Sequence, residues 1–155
     1  MDDVKERLGD AIGAGATAIS DELGDAAVHQ ILSLAKNLLE SGIDVVVEGF
    51  FQSNRYSADF ASLALGAESV LIHLQAEDSV LKKRYEDRAM RDERHWIHGD
   101  ADKIGTLKPE LPEYMAERLQ LDVPQIVIDT TREQIDISAV VQLILRTSIH
   151  RRDLV

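Results

Sequence analysis

The chain has 155 residues, the length of one domain, and ordinary hydrophobic and charged fractions of 45% and 29%. It has no cysteine, which excludes disulfides and thiolate metal sites, and no apolar run near the ~20 residues of a membrane helix. The net charge of −11 argues against a non-specific nucleic-acid binder, and no secretory signal follows Met1. These features predict a cytoplasmic protein with neither nucleic acid nor membrane as a partner.

Apolar periodicity predicts alternating helices and strands along the chain. Helices are expected over 2–12, 25–40, 56–65, from 78 to about 91 or 95, over 112–120 and over 136–146. Strands are expected over Ile43–Val47, Val70–Leu74 and Gln125–Ile128. The stretch from Gly13 to Ala18 is typical of a turn or a frayed helix end, and residues 96–110 are typical of irregular structure.

This alternation predicts an α/β layered fold with a parallel sheet. The predicted strands end in the polar residues Glu48, Gln75 and Asp129. Ligands of open α/β sheets bind beyond the carboxyl ends of the strands, so we expect Glu48 in particular to lie where chemistry occurs.

Two short segments are candidates for parts of a ligand site. Gly13 to Thr17 reads G-A-G-A-T, but no strand precedes it and no Gly-Lys-Ser or Gly-Lys-Thr ends it, so a flexible turn is favoured over a phosphate loop. Val45 to Phe51 reads V-V-V-E-G-F-F, in which the Glu48 carboxylate can bind magnesium or accept a proton from a substrate hydroxyl. The alternative for Glu48 is a solvated strand end before a glycine turn.

The basic residues concentrate in one predicted helix. Six of the 17 lysines and arginines fall within residues 82–94. Spacings of 4, 3 and 4 place Arg84, Arg88, Arg91 and His95 on one face of a continuous helix, where like charges favour an anionic partner such as phosphate. The interleaved acids leave a solvated charged helix as an equal alternative.

The segment that follows, Arg94 to Asp100, reads R-H-W-I-H-G-D. A zinc site there would lack a clear third protein ligand at helix spacing. A mobile loop that closes over a ligand fits the composition better.

Taken in order, these segments resemble the P-loop kinase-like small-molecule phosphotransferases, the AAA-domain proteins related to chloramphenicol phosphotransferase, gluconate kinase and zeta toxin. The resemblance spans about residues 2–145 and rests on the order of five segments. They are M-D-D-V-K-E-R-L at the start, D-V-V-V-E-G-F-F, S-V-L-I-H-L-Q-A with the arginine-rich L-K-K-R-Y-E-D-R, the lid pattern R-H-x-x-H-x-D, and I-V-I-D-T-T.

The resemblance implies a single domain over residues 1–155, with a three-layer P-loop NTPase-type parallel sheet and a lid over about 84–110. The chain departs from the family in one large respect, since no G-x-x-x-x-G-K-S/T occurs in it and the first two strands have no counterpart. A misplaced start at Met1 and a natural remnant are both left open as explanations.

The resemblance also implies roles for individual residues. ATP and Mg²⁺ would be the cofactors, held weakly or not at all by this chain, with Glu48 assigned to the metal or the acceptor. Catalytic roles fall to Glu48, Arg84, Arg88 and Arg91; substrate-binding roles to Asp2, Asp3, Arg55, His95 and His98; and nucleotide-binding roles to Arg88, Asp129 and Thr130.

The sequence is compatible with three hypotheses about function. The first is an ATP-dependent kinase of a small hydroxyl-bearing molecule, inactive as written because the phosphate loop is absent. The second is a non-catalytic remnant that binds a phosphorylated ligand or a protein partner, and the third is an unrelated α/β binding domain. An incomplete sheet also predicts poor stability or self-association through its exposed strand edge.

Overall fold

The computed structural model describes residues 2–13, 18–90, 95–98, 117–132 and 134–152, with side chains as far as residue 147. Its elements are α1 (Asp2–Ile12), α2 (Ser20–Glu40), α3 (Ser53–Ala64), β1 (Leu71–Gln75), α4 (Asp78–Ala89), a 3-10 turn (Trp96–His98), β2 (Gln125–Asp129) and α5 (Ile137–Arg152). Within these ranges no helix has both the length and the apolar character that crossing a bilayer requires.

The chain forms two compact units, each assembled from two stretches of sequence. The first comprises Met1–Phe51 and Lys82–Leu111, and the second comprises Gln52–Leu81 and Pro112–Val155. The first unit contains α1, α2 and the 3-10 turn; the second contains α3, both strands and α5. That the whole chain folds as a single domain stays a prediction.

In the first unit α1 packs on α2, which buries a stripe of small and apolar side chains. Leu23, Ala27 and Val28 are all less than 7% exposed, and their spacing places them on one helix face. Ala35 is also buried on α2, at 4% exposure, whereas its neighbour Leu34 is 55% exposed. The buried residues of α2 therefore extend from Leu23 to Ala35.

A glycine lies at the end of α2. Gly42 has a φ of +75°, its N–H donates to the Leu39 carbonyl at 2.9 Å, and the Ile43 N–H donates to the Leu38 carbonyl at 3.0 Å. This pair of bonds is the Schellman motif, which satisfies two helix-end carbonyls and requires a residue that tolerates positive φ.

In the second unit β1 and β2 form a parallel pair. The register runs from Leu71 opposite Gln125 to Gln75 opposite Asp129, so both carboxyl ends lie at the same edge. The α/β class with parallel strands is thus confirmed. Ile126 is buried at 5% exposure, together with Tyr56 from α3, and these residues form part of the core of this unit.

The prediction of a strand over Ile43–Val47 is wrong. Residues 43–48 have no regular secondary structure, and Val46 is 95% exposed. A strand exists only where a neighbour supplies its hydrogen bonds, and no described segment pairs with this one. The described sheet therefore has two strands rather than the three expected.

Helix bounds also differ from expectation. α2 begins five residues before the predicted Asp25, and α4 ends at Ala89, so His95 does not continue its face. Of the helix predicted over 112–120, residues 117–120 are not helical and 112–116 lie outside the described residues. Most of the turn predicted after Gly13 and of the irregular stretch 96–110 lies outside them as well.

Candidate functional site

The carboxyl end of β2 carries the Asp-Thr-Thr segment and is tied to β1. The Thr130 N–H donates to the Gln75 carbonyl at 2.7 Å, and the Thr130 hydroxyl donates to the same oxygen at 3.0 Å. The Thr131 hydroxyl oxygen accepts a hydrogen bond from the Glu77 N–H at 3.0 Å. The polar groups therefore lie where ligands bind in open α/β sheets.

Asp129 is the ionised group of this edge. Its carboxylate accepts the Thr131 N–H at 2.8 Å. A hydrogen bond from the Thr131 side chain, then that from its backbone, and to a smaller extent the charge of Arg132 lower the pKa of Asp129 below its usual value. Because the carboxylate is solvent-exposed, it can accept further hydrogen bonds from a ligand hydroxyl.

His73 lies on β1 behind this edge. Partial burial, and secondly the positive charge of Arg118, lower the pKa of His73. The imidazole is therefore neutral at pH 7, and it adds no positive charge that could hold a phosphate.

α4 presents two arginines on one face. Arg84 and Arg88 are exposed and one helical turn apart, and the Arg88 guanidinium lies 5.5 Å from the centre of the Tyr85 ring. Beside them Lys83 forms an exposed ion pair of 2.7 Å with Asp87. Both guanidiniums are thus exposed to solvent, and the helix also carries the internal charge pairing expected of a solvated surface. Arg91 lies outside the described residues.

Glu48 is exposed within the irregular segment 43–48 and not at the end of a strand. A carboxylate suits Mg²⁺, which is often held by one or two protein carboxylates together with substrate phosphates. Among the described residues no group of three histidines or acids could hold a metal ion by itself. Glu48 therefore fits the donor chemistry of Mg²⁺ only together with phosphate oxygens of a ligand.

Two histidines bind the 3-10 turn to α1. His98 is 7% exposed, and its Nε2 lies 2.9 Å from Oε1 of Glu6. The His95 Nε2 lies 3.0 Å from Oδ1 of Asp10, one turn further along α1. We call these two interactions the histidine clasp.

Hydrogen bonds fix the tautomer of His95 when it is neutral. Its Nδ1 accepts the Ile97 N–H at 3.3 Å, so the proton resides on Nε2, which donates to Asp10. A zinc ion needs an imidazole lone pair, and both nitrogens of His95 are occupied. Residues 95–98 therefore dock on α1.

An apolar contact completes the clasp. Ile97 is fully buried, and a Cβ placed on Gly9 would lie 2.9 Å from Ile97 Cγ1. Leu23 and Leu8 pack in the same cluster, and the Ser20 hydroxyl donates to the Ile97 carbonyl at 3.0 Å. The absence of a side chain at Gly9 is what admits Ile97 to this position.

The remaining predicted residues are dispersed. Asp2 and Asp3 begin α1, the helix that receives the clasp, but lie in its first turn. Arg55 is exposed on α3, with its guanidinium 5.7 Å from the centre of the Tyr56 ring. The structure thus joins His95 and His98 to α1, Arg84 to Arg88 along one helix, and Asp129 to Thr130 at one strand end.

Sequence reasoning missed the partners of the histidines and the role of Thr131. Glu6 and Asp10 are four residues apart and so share a face of α1, while His95 and His98 are three apart in a tight turn. This matched spacing of acids and histidines was the available signal, but nothing in the sequence indicates that segments 85 or more residues apart meet.

One solved structure shares the fold over most of the chain. It is the crystal structure of a "putative kinase" from Chloroflexus aurantiacus, which is 24% identical, with a TM-score of 0.66 over 94% of this chain and 77% of that chain. No protein-family model matches the chain, and no curated protein matches it. The chain therefore has a kinase-like α/β fold.

Proposed function

We propose that the chain belongs to a phosphotransferase that moves a phosphoryl group from ATP to a hydroxyl of a small molecule. The fold shared with the Chloroflexus aurantiacus protein over 94% of the chain is the observation that carries this proposal. The accessible arginine pair of α4 and the polar strand end at Asp129 support it.

The charge of each candidate residue suggests its role in this reaction. Arg84 and Arg88 would neutralise negative charge on the phosphoryl group in transfer, as cationic side chains do in other phosphotransferases. The anionic Asp129 would accept hydrogen bonds from hydroxyls on the nucleoside side, where a phosphate would be repelled. Glu48 would orient the acceptor hydroxyl or share Mg²⁺ with the phosphates.

The test supplies the phosphate-binding motif, because the 155 residues contain no G-x-x-x-x-G-K-S/T. A strand and such a loop are fused ahead of residue 1, and phosphoryl transfer from ATP is assayed on a panel of small hydroxyl compounds. We expect Arg88→Ala to lower turnover by a factor on the order of 10³, as loss of a transition-state arginine does elsewhere. Lys82→Ala, on the same helix, is the matched control and should have little effect.

Glu48→Gln separates chemistry from stability in the same fusion. The change removes the charge but keeps the size, so we expect near-complete loss of turnover with an unchanged melting temperature.

Other outcomes of these tests would favour the alternative functions. Equal, small effects of Arg88→Ala and Lys82→Ala would support a solvated charged helix. A fusion that binds ATP without transfer to any acceptor would favour the non-catalytic reading, in which the chain binds a phosphorylated ligand.

A further inference from the structure

Two polar side chains lie side by side at the carboxyl end of the sheet. Gln75 ends β1 and Asp129 ends β2, and the parallel register places them directly opposite each other. Partners in such a register carry their side chains on the same face of the sheet, on strands about 4.8 Å apart. Both residues are exposed, so the Gln75 amide and the Asp129 carboxylate are adjacent and open to solvent.

Two threonines fix the backbone and the carboxylate of this pair. The Gln75 carbonyl accepts both the N–H and the hydroxyl of Thr130, at 2.7 and 3.0 Å. The Thr131 N–H donates to Oδ1 of Asp129 at 2.8 Å, and its hydroxyl oxygen accepts the Glu77 N–H at 3.0 Å. Because these groups are already ordered, a ligand would meet them at a lower entropic cost.

The hydrogen-bonding capacity of the pair favours hydroxyl groups as ligands. An ionised carboxylate only accepts hydrogen bonds, at about four lone-pair positions, whereas the Gln75 amide both donates and accepts. Of two neighbouring hydroxyls, one can donate to Asp129 while the other accepts from the Gln75 amide. A phosphate would be repelled by the carboxylate, and an ammonium group offers no acceptor to the amide N–H.

We infer that Gln75 and Asp129 bind a vicinal diol, the group that a nucleoside presents on its ribose. A carboxylate near the strand ends of an α/β sheet holds a ribose hydroxyl in dinucleotide-binding folds, which is a chemical precedent for Asp129. The inference rests on the proposed function, which assigns the nucleoside to this strand end. It adds the group that is recognised and makes Gln75 a specificity-determining residue.

NMR titration of the 155-residue chain with adenosine tests the inference, because adenosine has no phosphate and needs no phosphate loop. The amide signals of Thr130 and Thr131 are the reporters, since these N–H groups bond to Gln75 and Asp129. A small neutral ligand held by exposed groups should bind with a dissociation constant on the order of 1–10 mM. The 2′-deoxy and 3′-deoxy forms of adenosine should each bind about three- to tenfold more weakly, because each lacks one hydrogen-bonding group.

Variants assign the binding to the two side chains. Asp129→Asn removes the charge that strengthens a hydrogen bond from a hydroxyl, so it should weaken adenosine binding about tenfold. Gln75→Ala should weaken it about threefold or more. Gln125→Ala and Asp122→Asn are the matched controls and should have no effect. Gln125 is exposed at the opposite end of β2, and Asp122 is an exposed acid that precedes this strand.

Several outcomes would overturn the inference. They are amide signals that do not move with adenosine up to about 20 mM, above the expected dissociation constant; equal binding of adenosine and both deoxy forms; and equal weakening by the control variants. Equal shifts with ethylammonium would show that the carboxylate attracts cations rather than a diol.

The same reagents separate this inference from the proposed function. If the loop-bearing fusion transfers phosphate from ATP while the chain fails to distinguish adenosine from its deoxy forms, the diol site is refuted and the phosphotransferase stands. If the chain binds adenosine as expected while the fusion transfers no phosphate, the diol site stands without that activity.

Discussion

Gly9 shows how one missing side chain determines a tertiary contact. A Cβ at this position would lie 2.9 Å from Ile97 Cγ1, closer than such atoms approach in folded proteins. Ile97 is fully buried and cannot move aside without disturbing Leu23 and Leu8. The glycine is therefore a requirement of packing, in the middle of a helix where it would otherwise weaken the helix.

We predict that Gly9→Ala lowers the free energy of unfolding by about 1–3 kcal/mol, the usual cost of overpacking a filled core. Gly24→Ala is the control, because Gly24 lies inside α2 with nothing within 4 Å of its Cβ position, and alanine there should gain about 0.5–1 kcal/mol. Adding Ile97→Ala to Gly9→Ala should relieve the overlap. Urea denaturation measures all three, and a stabilising Gly9→Ala would contradict the packing argument.

Thr131 lowers the pKa of Asp129 at the end of β2. Hydrogen bonds from Thr131 are the main reason that the pKa of Asp129 lies below its usual value of 3.8. We predict that Thr131→Val, which removes the hydroxyl but keeps the N–H, raises this pKa toward the usual value. Thr130→Val should leave it unchanged, since the Thr130 hydroxyl is directed to Gln75. Carboxyl-carbon NMR titration reads the result, and equal shifts in both variants would exclude the assigned role of Thr131.

At the level of elements, the histidine clasp fixes the 3-10 turn to α1 through two histidine–carboxylate hydrogen bonds of unequal burial. His98 and Glu6 have side chains 7% and 28% exposed, whereas His95 and Asp10 are 20% and 64% exposed. Solvent screens an exposed pair, while removing one partner of a buried pair leaves a polar group unsatisfied. The inner pair should therefore contribute more to stability.

We predict that Glu6→Ala costs about 1–3 kcal/mol of unfolding free energy, the penalty for a buried polar group that loses its partner. Asp10→Ala, one turn away on the same helix, should cost less than about 1 kcal/mol. The single tryptophan, Trp96, lies between the two histidines, so its fluorescence reports the docking of the turn during unfolding. Equal costs for the two variants would mean that burial does not set the strength of the clasp.

Sequence patterns within a few residues predicted some elements correctly. They failed for elements whose formation depends on residues distant in the sequence. α1 matches the predicted 2–12, and Gly42 ends α2, because helix periodicity and a positive-φ glycine are encoded within a few residues. Ile43–Val47 has the composition of a buried strand but no partner among the described residues, so its β-propensity alone produces no strand. The charge spacing predicts His95 on the face of α4, but this helix ends at Ala89.

At the scale of the whole molecule, the features proposed for one reaction are distributed over two compact units. The arginine pair and the clasp belong to Lys82–Leu111 and Met1–Phe51, while Asp129 and Thr130 belong to Pro112–Val155. The order of these segments carries the family resemblance, and the Chloroflexus aurantiacus protein, at 24% identity, shares the fold over 94% of the chain. The sequence carries no signal of which distant segments meet in the fold, as His98 and Glu6 do within the first unit.

We expect the 155-residue chain to bind Mg-ATP weakly or not at all. In P-loop proteins the loop amides and a lysine hold the β- and γ-phosphates, and this sequence contains no such motif. Arg84 and Arg88 supply local positive charge, but a net charge of −11 repels a polyphosphate at longer range. Isothermal titration should therefore give a dissociation constant above about 100 µM, since two exposed arginines replace only part of a phosphate loop.

The loop-bearing fusion is the positive control and should bind at least tenfold more tightly. Low-micromolar binding by the chain itself would show that another set of its residues holds the phosphates.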